Sequence, residues 1–182
     1  MTNIFFSSDL HFGHANILKY EPISRQFDSV EEMDEQLIQN WNNVVKENDE
    51  CYILGDLSFH KLNKTVEILN RLSGKKAIIV GNHDAHLIKH QEFIDCFEGR
   101  VFDLLDHKIN GKHYVMCHYP LRAWNRSHWG SINLFGHLHS KWKGNKQQLN
   151  VGADVHNLTP LSIEEIPAIL ESLPEEQRKI YD

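Results

Sequence analysis

The chain has 182 residues, enough for one domain with a proper core and short for two, so a single domain over residues 1–182 is expected. At 41% hydrophobic and 24% charged it reads as soluble and globular, and no apolar run approaches the ~20 residues of a membrane helix. A formal net charge of −6 argues against a basic track for long nucleic acid.

Met1 to Phe6, with no basic region and no long apolar stretch, do not read as a signal peptide. Three scattered cysteines (Cys51, Cys96, Cys117) form no CxxC pair and predict a reducing, cytoplasmic setting. Histidine stands out, with thirteen in the chain; it is the commonest metal ligand, and position must separate ligands from surface residues.

In chain order, Asn3 to Ser8 reads as a buried strand. Asp28 to Glu47 reads as a helix, with a capping box at Ser29 and Glu32 and an apolar face of Val30, Met33, Leu37, Trp41 and Val44. Cys51 to Leu54 is a strand, Leu62 to Leu72 a helix closed near Gly74, and Ala77 to Val80 a strand covered on both faces. Val101 to Leu105, Asp106 to Ile109 and Tyr114 to Cys117 are strand-like, with Asn110-Gly111 as a hairpin turn. Ile132 to Phe135, Gln148 to Val151 and a piece near Leu161 continue the β pattern. Ile163 to Leu173 is a helix with Pro167 in its first turn. A βαβα half followed by a mostly β half predicts an α/β fold of two face-to-face sheets with helices outside.

Five short motifs each follow a predicted strand. They are Asp9-Leu10-His11, Gly55-Asp56, Gly81-Asn82-His83-Asp84, His118 and Gly136-His137-Leu138-His139. Loops at strand C-terminal ends are where open α/β sheets place their sites. Carboxylate, imidazole and amide oxygen suit Mn²⁺, Fe, Zn²⁺ or Ni²⁺, without thiolate. Asp-x-His and His-x-His predict side chains sharing one side of an extended segment, with Leu10 and Leu138 turned to the core. Glycines before Asp56, Asn82 and His137 predict tight turns. Seven ligand-grade side chains exceed the needs of one ion. Two ions about 3.5–4 Å apart activate a bridging water and clamp phosphate oxygens.

The five motifs, in this order and covering residues 9 to 139, resemble the calcineurin-like metallophosphoesterase superfamily, with small stand-alone bacterial and phage-type members the nearest in form. The resemblance implies a four-layer α/β/β/α sandwich. It also implies two divalent ions, Mn²⁺ first among them. Asp9, His11 and His139 would hold one ion, Asn82, His118 and His137 the other, and Asp56 would bridge them. His83 would serve the leaving-group oxygen, and Asp84 would orient His83 or support its loop. The segment Asn150 to Asp154 would pack behind the metal loops. The phosphoprotein phosphatases of the superfamily carry a second Asp and an Arg soon after the bridging Asp. Phe59 stands here where that second Asp would be, which weakens a protein phosphatase reading.

The expected activity is hydrolysis of a small phosphomonoester or phosphodiester, with a nucleotide or a nucleic-acid end among the candidates. A metal-free interaction scaffold and a nuclease are the alternatives. His14, Arg122, Trp124 and Arg126 are candidate substrate contacts, the last three from a loop opening three residues after His118. For Trp124 the competing reading is an anchor of that loop. His60, His86, His90, His107 and His113 read as surface or internally satisfied positions. Trp41 and Cys117 read as packing.

Overall fold

A computed structural model describes residues 2–175. The first sheet has parallel strands β1 (Ile4–Ser7), β2 (Glu50–Ile53), β3 (Lys75–Ile79) and β4 (Val101–Phe102). β10 (Leu161–Ser162) returns antiparallel on the free side of β1. The second sheet has the order β5 (Leu105–Ile109), β6 (Lys112–Met116), β7 (Ile132–Phe135), β9 (Gln148–Asn150), β8 (Gly144–Asn145). There β6, β7 and β9 are parallel and the two edge strands antiparallel. Five α-helices lie among the described residues: α1 (Ile17–Tyr20), α2 (Val30–Val44), α3 (Leu62–Arg71), α4 (Gln91–Asp95) and α5 (Ile166–Ser172).

Strand alternation builds two cores from the first sheet. Phe5, Cys51, Ile53 and Ile78 face one core, where Met33, Leu37 and Trp41 of α2 and Ile68 and Leu69 of α3 meet them. Phe6, Tyr52, Ala77 and Ile79 face the other, against Tyr114, Met116, Ile132, Leu134 and Leu149 of the second sheet. Burying each of the Leu, Ile, Met and Phe side chains among these contributes roughly 1.5–3 kcal/mol, so both sheets are held by the core between them. Half of the expected capping box forms at α2, where Ser29 Oγ accepts from Glu32 N at 3.1 Å; the reciprocal bond is shifted by one residue, Glu32 Oε2 accepting from Asp28 N at 3.0 Å.

The structure departs from expectation in several places. The strand predicted over 101–105 divides between sheets, with Val101–Phe102 joining the first and Leu105 opening the second. β-propensity is continuous there, but the two sheets compete for it. The short helices α1 and α4 carry no strong periodic signal in the sequence. The expected fourth, helical layer is not supplied by α5, whose Ile166 and Leu170 enter the inter-sheet core. On the other face of the second sheet, buried Asn133 accepts from Leu121 N at 3.0 Å and from Gln148 Nε2 at 2.9 Å. Phe135 stacks on Trp142, with centroids 4.9 Å apart. Loop residues Leu121 and Trp142 thus pack on that face.

The hairpin turn at Asn110-Gly111 is present, with φ of 48° and 83° as a type I′ turn requires. Pro167 sits in the first turn of α5 as expected. No helix among the described residues is long and apolar enough to cross a membrane.

Candidate metal centre

Because β1, β2, β3, β6, β7 and β9 are parallel within their sheets, the loops after them emerge at strand C-terminal ends, and side-chain contacts show that they meet. Their backbones also bind one another. Asp9 N donates to Gly55 O at 3.0 Å, His11 N to Asp56 O at 3.1 Å and Gly136 N to His118 O at 2.9 Å. A parallel bridge from Ser8 to Gly152 pins the first sheet to the second at this end.

Two groups of potential ligands result, Asp9 with His11 and His139, and Asp56 with His118 and His137. Within each group one donor atom per residue lies within 4.8 Å of the others. Asp9, His11, Asp56 and His118 are buried, whereas Asn82 is exposed. Asp56 Oδ2 is 3.7 Å from His11 Nε2 and 3.5 Å from His118 Nε2, so one carboxylate oxygen faces both groups. Asn82 Oδ1 lies 3.1 Å from His118 Nε2, which places it with the second group.

The hydrogen-bond network sets the imidazole tautomers. His118 Nδ1 is 2.6 Å from Leu54 O and His139 Nδ1 is 2.8 Å from Asp154 Oδ2. Both partners only accept, so each Nδ1 carries the proton and each Nε2 presents a lone pair to the centre. His11 pairs Nδ1 to Nδ1 with His14 at 2.9 Å, and its Nε2 is buried with no hydrogen-bond partner. Lone pairs of His118, Asn82 and Asp56 thus converge on one another, which is unfavourable unless positive charge lies among them. A divalent cation fits this donor set.

The carboxylates of the centre draw positive charge to it, which without a cation takes the form of protons on His118 and His139. Burial opposes ionisation of Asp56, but its contacts with His118, His83 N–H and His11 outweigh it and hold the carboxyl down at about 2. Burial also opposes protonation of His118 and His139, yet Asp56 and Asp154 respectively, with Asp9, leave both above the ordinary value. Burial lowers His11 and His137. Burial, then His11, brings His14 down to about 4, so it stays neutral beside His11.

Two sequence expectations are corrected in their physical cause. Asp9, His11, His137 and His139 are not on extended segments; their φ values are 54°, 53°, 65° and 48°, in the left-handed region. Leu10 enters the core, but Leu138 is only half-buried. Of the three motif glycines, Gly55 has a positive φ of 85°, as a turn requires. Gly136 is needed for close approach instead, since a Cβ there would stand 1.9 Å from Ser8 Oγ and 2.4 Å from Asp9 Oδ2.

The remaining candidates fall on different sides. His83 is half-exposed, its N–H donates to Asp56 Oδ1 at 2.9 Å and its Nε2 is 3.9 Å from Asp56 Oδ2. Asp84 is fully buried and accepts backbone N–H bonds from Gly81, Asp56 and Leu57 at 2.8–2.9 Å, so of its two expected roles the geometry gives loop support. Trp124 is buried and donates to Ser131 O at 3.2 Å, so of its two readings the anchor of the loop holds and the expected substrate contact is corrected. Arg122 and Arg126 are exposed, and Arg126 stands over the Trp129 ring at 5.8 Å. His14 sits in the centre's wall, against Phe59. Trp41 and Cys117 are buried, as packing requires.

Several contributors carry no sequence signal. Arg25, in a polar loop, is fully buried. It donates to Asp154 Oδ1 at 2.7 Å, to Leu10 O at 2.9 Å and to Asp9 O at 2.5 Å. The expected support from residues 150–154 is therefore delivered by Asp154, locked between Arg25 and His139. Asp34 accepts from Gly13 N at 3.0 Å and pairs with His60 Nε2 at 2.7 Å, bracing the loop after His11. Tyr119 places its hydroxyl 3.4 Å from Asn82 Oδ1; the only hint was its position beside His118.

Fold and site together define an α/β protein with two adjoining groups able to hold metal ions. No family model matches the chain. It is 35% identical over 180 residues to "Uncharacterized protein MJ1445" of Methanocaldococcus jannaschii, covering 94% of this chain and 93% of that protein, and it belongs to that protein's family. "Gene 66 protein" of Mycobacterium phage D29 is 28% identical over 194 residues, covering 88% and 93%. The solved structure of the protein of unknown function AQ665 from Aquifex aeolicus shares the fold. It has a TM-score of 0.74 at 24% identity and covers 93% of this chain and all of that one.

Proposed function

We propose that the chain is a calcineurin-like metallophosphoesterase that hydrolyses a phosphate ester at two divalent ions. The observation that carries this reading is Asp56 Oδ2, which faces His11 Nε2 at 3.7 Å and His118 Nε2 at 3.5 Å between two ligand groups. The motif order from Asp9 to His139 supports it, as do two mixed sheets packed face to face. Asp9, His11 and His139 would hold one ion, Asn82, His118 and His137 the other, with Asp56 common to both. When bound, such ions supply Lewis acidity that activates water and neutralises phosphate charge.

The chain's own groups do the rest. Leu54 O and Asp154 fix the rings of His118 and His139 so that both Nε2 atoms point inward. His83, held over the shared carboxylate by its own N–H, stands on the open side, where it serves the leaving-group oxygen as proton donor. Asp84 is a positioning residue for the loops carrying Asp56 and His83.

The test is turnover of p-nitrophenyl phosphate and bis-p-nitrophenyl phosphate with and without Mn²⁺, alongside elemental analysis of Asp56→Asn. Mn²⁺-dependent p-nitrophenolate release, and loss of both ions together in the variant, are the expected results. No turnover with Mn²⁺, Zn²⁺, Fe²⁺ or Ni²⁺ would leave the scaffold reading instead.

A further inference from the structure

The rings around the metal centre are not accounted for by holding metal. Phe59, three residues after Asp56, lies flat on His14 with centroids 3.9 Å and planes 14° apart. It is also 4.7 Å from the His83 ring and 5.1 Å from the His11 ring. Its backbone N–H donates to Phe12 O at 2.8 Å, which fixes the ring's root. On the side of the other ligand group, Tyr119 is 43% exposed. Its ring stands edge-on to His137 at 4.8 Å and to His118 at 5.0 Å. Tyr20, 68% exposed, extends the Phe59 side, 6.1 Å from His14.

Tyr119 and Tyr20 are exposed and Phe59 is half-buried beside them, and aromatic surface gathered in this way around polar groups suits a ligand-binding rim. In the following loop Trp124 is buried and Trp129, though exposed, packs with Arg126 and His128, whereas the rings in contact with the histidines of the centre are those of Phe59 and Tyr119, with Tyr20 beside His14.

We infer that Phe59 and Tyr119 flank the leaving-group side of the substrate, and that the substrate is a phosphate ester carrying a planar aromatic group, from a nucleoside or an aryl alcohol. The inference rests on the phosphoesterase reading. Rigid rings suit this task because they give large contact area with little rotamer freedom to lose. Stacking one planar group on such a ring changes affinity roughly ten-fold or more.

Matched ligand pairs test it. Adenosine 5′-monophosphate and ribose 5-phosphate differ by the base; phenyl and cyclohexyl phosphate differ by planarity. Their affinities for the Mn²⁺-loaded protein are measured by calorimetry, with inorganic phosphate as reference. The wild type is expected to prefer the planar member of at least one pair by about ten-fold, and the pair that shows it identifies the source. Tyr119→Ala and the milder Phe59→Leu are expected to bring that ratio towards one. A ratio is insulated from general damage, which weakens both members alike. A wild-type ratio near one in both pairs overturns the inference, as does a ratio unchanged in both variants. If phosphate binds but the pairs are not distinguished, the aromatic rim alone is wrong. If neither phosphate nor any ester binds with Mn²⁺, the phosphoesterase reading falls and takes the rim with it.

Discussion

Left-handed backbone at residues with a Cβ costs about 1–3 kcal/mol each. Five of the seven proposed ligands, Asp9, His11, Asp56, His137 and His139, adopt it. Such conformations persist only where surrounding hydrogen bonds over-determine them, and here the crossed backbone bonds between motif loops do so. Gly136 is the tightest point. Gly136→Ala would drive its methyl into Ser8 and Asp9, so the expected outcome is loss of the ion held by Asp9, His11 and His139 with less effect on the other. Metal content per chain checks it, and two ions retained at wild-type affinity would contradict it. His83 is exposed like Asn82 beside it, but lies outside both ligand groups. His83→Ala is expected to keep both ions and lose about 10²–10⁴-fold in turnover, the usual range for a proton donor. Full activity would show that its role is misassigned.

At the scale of elements, the loop between α1 and α2 matters more than its sequence suggests. Arg25 ties the Asp9-Leu10 backbone to Asp154, which in turn orients His139. Removing the guanidinium leaves a buried carboxylate without its countercharge. Arg25→Met is therefore expected to cost about 3–5 kcal/mol in urea unfolding. The double variant Arg25→Met with Asp154→Leu should lose less than the sum of the single changes. Additive losses would mean that the pair is not coupled.

Burial pushes the Asp154 carboxyl up, but His139, Arg25 and Ser24 outweigh it and hold it below the usual carboxylate range. A lowered folded-state value means stabilisation that is full above about pH 4 and lost as pH falls towards that lowered value. The stability gap between wild type and Asp154→Asn should shrink correspondingly below pH 4, and a gap constant with pH would contradict the ionised pair.

For the whole molecule, the centre is assembled from loops of both sheets, so ions held there would tie the sheets together. A ligand at 100 times its dissociation constant adds about 2.7 kcal/mol to stability. For a chain of this size that corresponds to a rise in Tm of roughly 5–11 °C. Thermal scans with Mn²⁺ and with chelator should differ by that order; coincident curves would argue against metal binding to the folded state.

The residues of this centre were legible in the chain because their chemistry is local. An Asp, Asn or His just after a β-prone run, five times in order, needs no coordinates to suggest a site at strand ends. Strand alternation and the Ser29 cap were equally readable, since period and capping are properties of a few neighbouring residues. What tertiary structure decided depends on contacts between residues far apart in the chain. Examples are the division of 101–105 between sheets, the packing of α5 into the inter-sheet core, and the burial of Trp124. Arg25 meets Asp154 across 129 positions, and Asp56 faces both groups only after the two sheets close. Burial and the partner across a gap belong to the packed chain, and no local pattern encodes them.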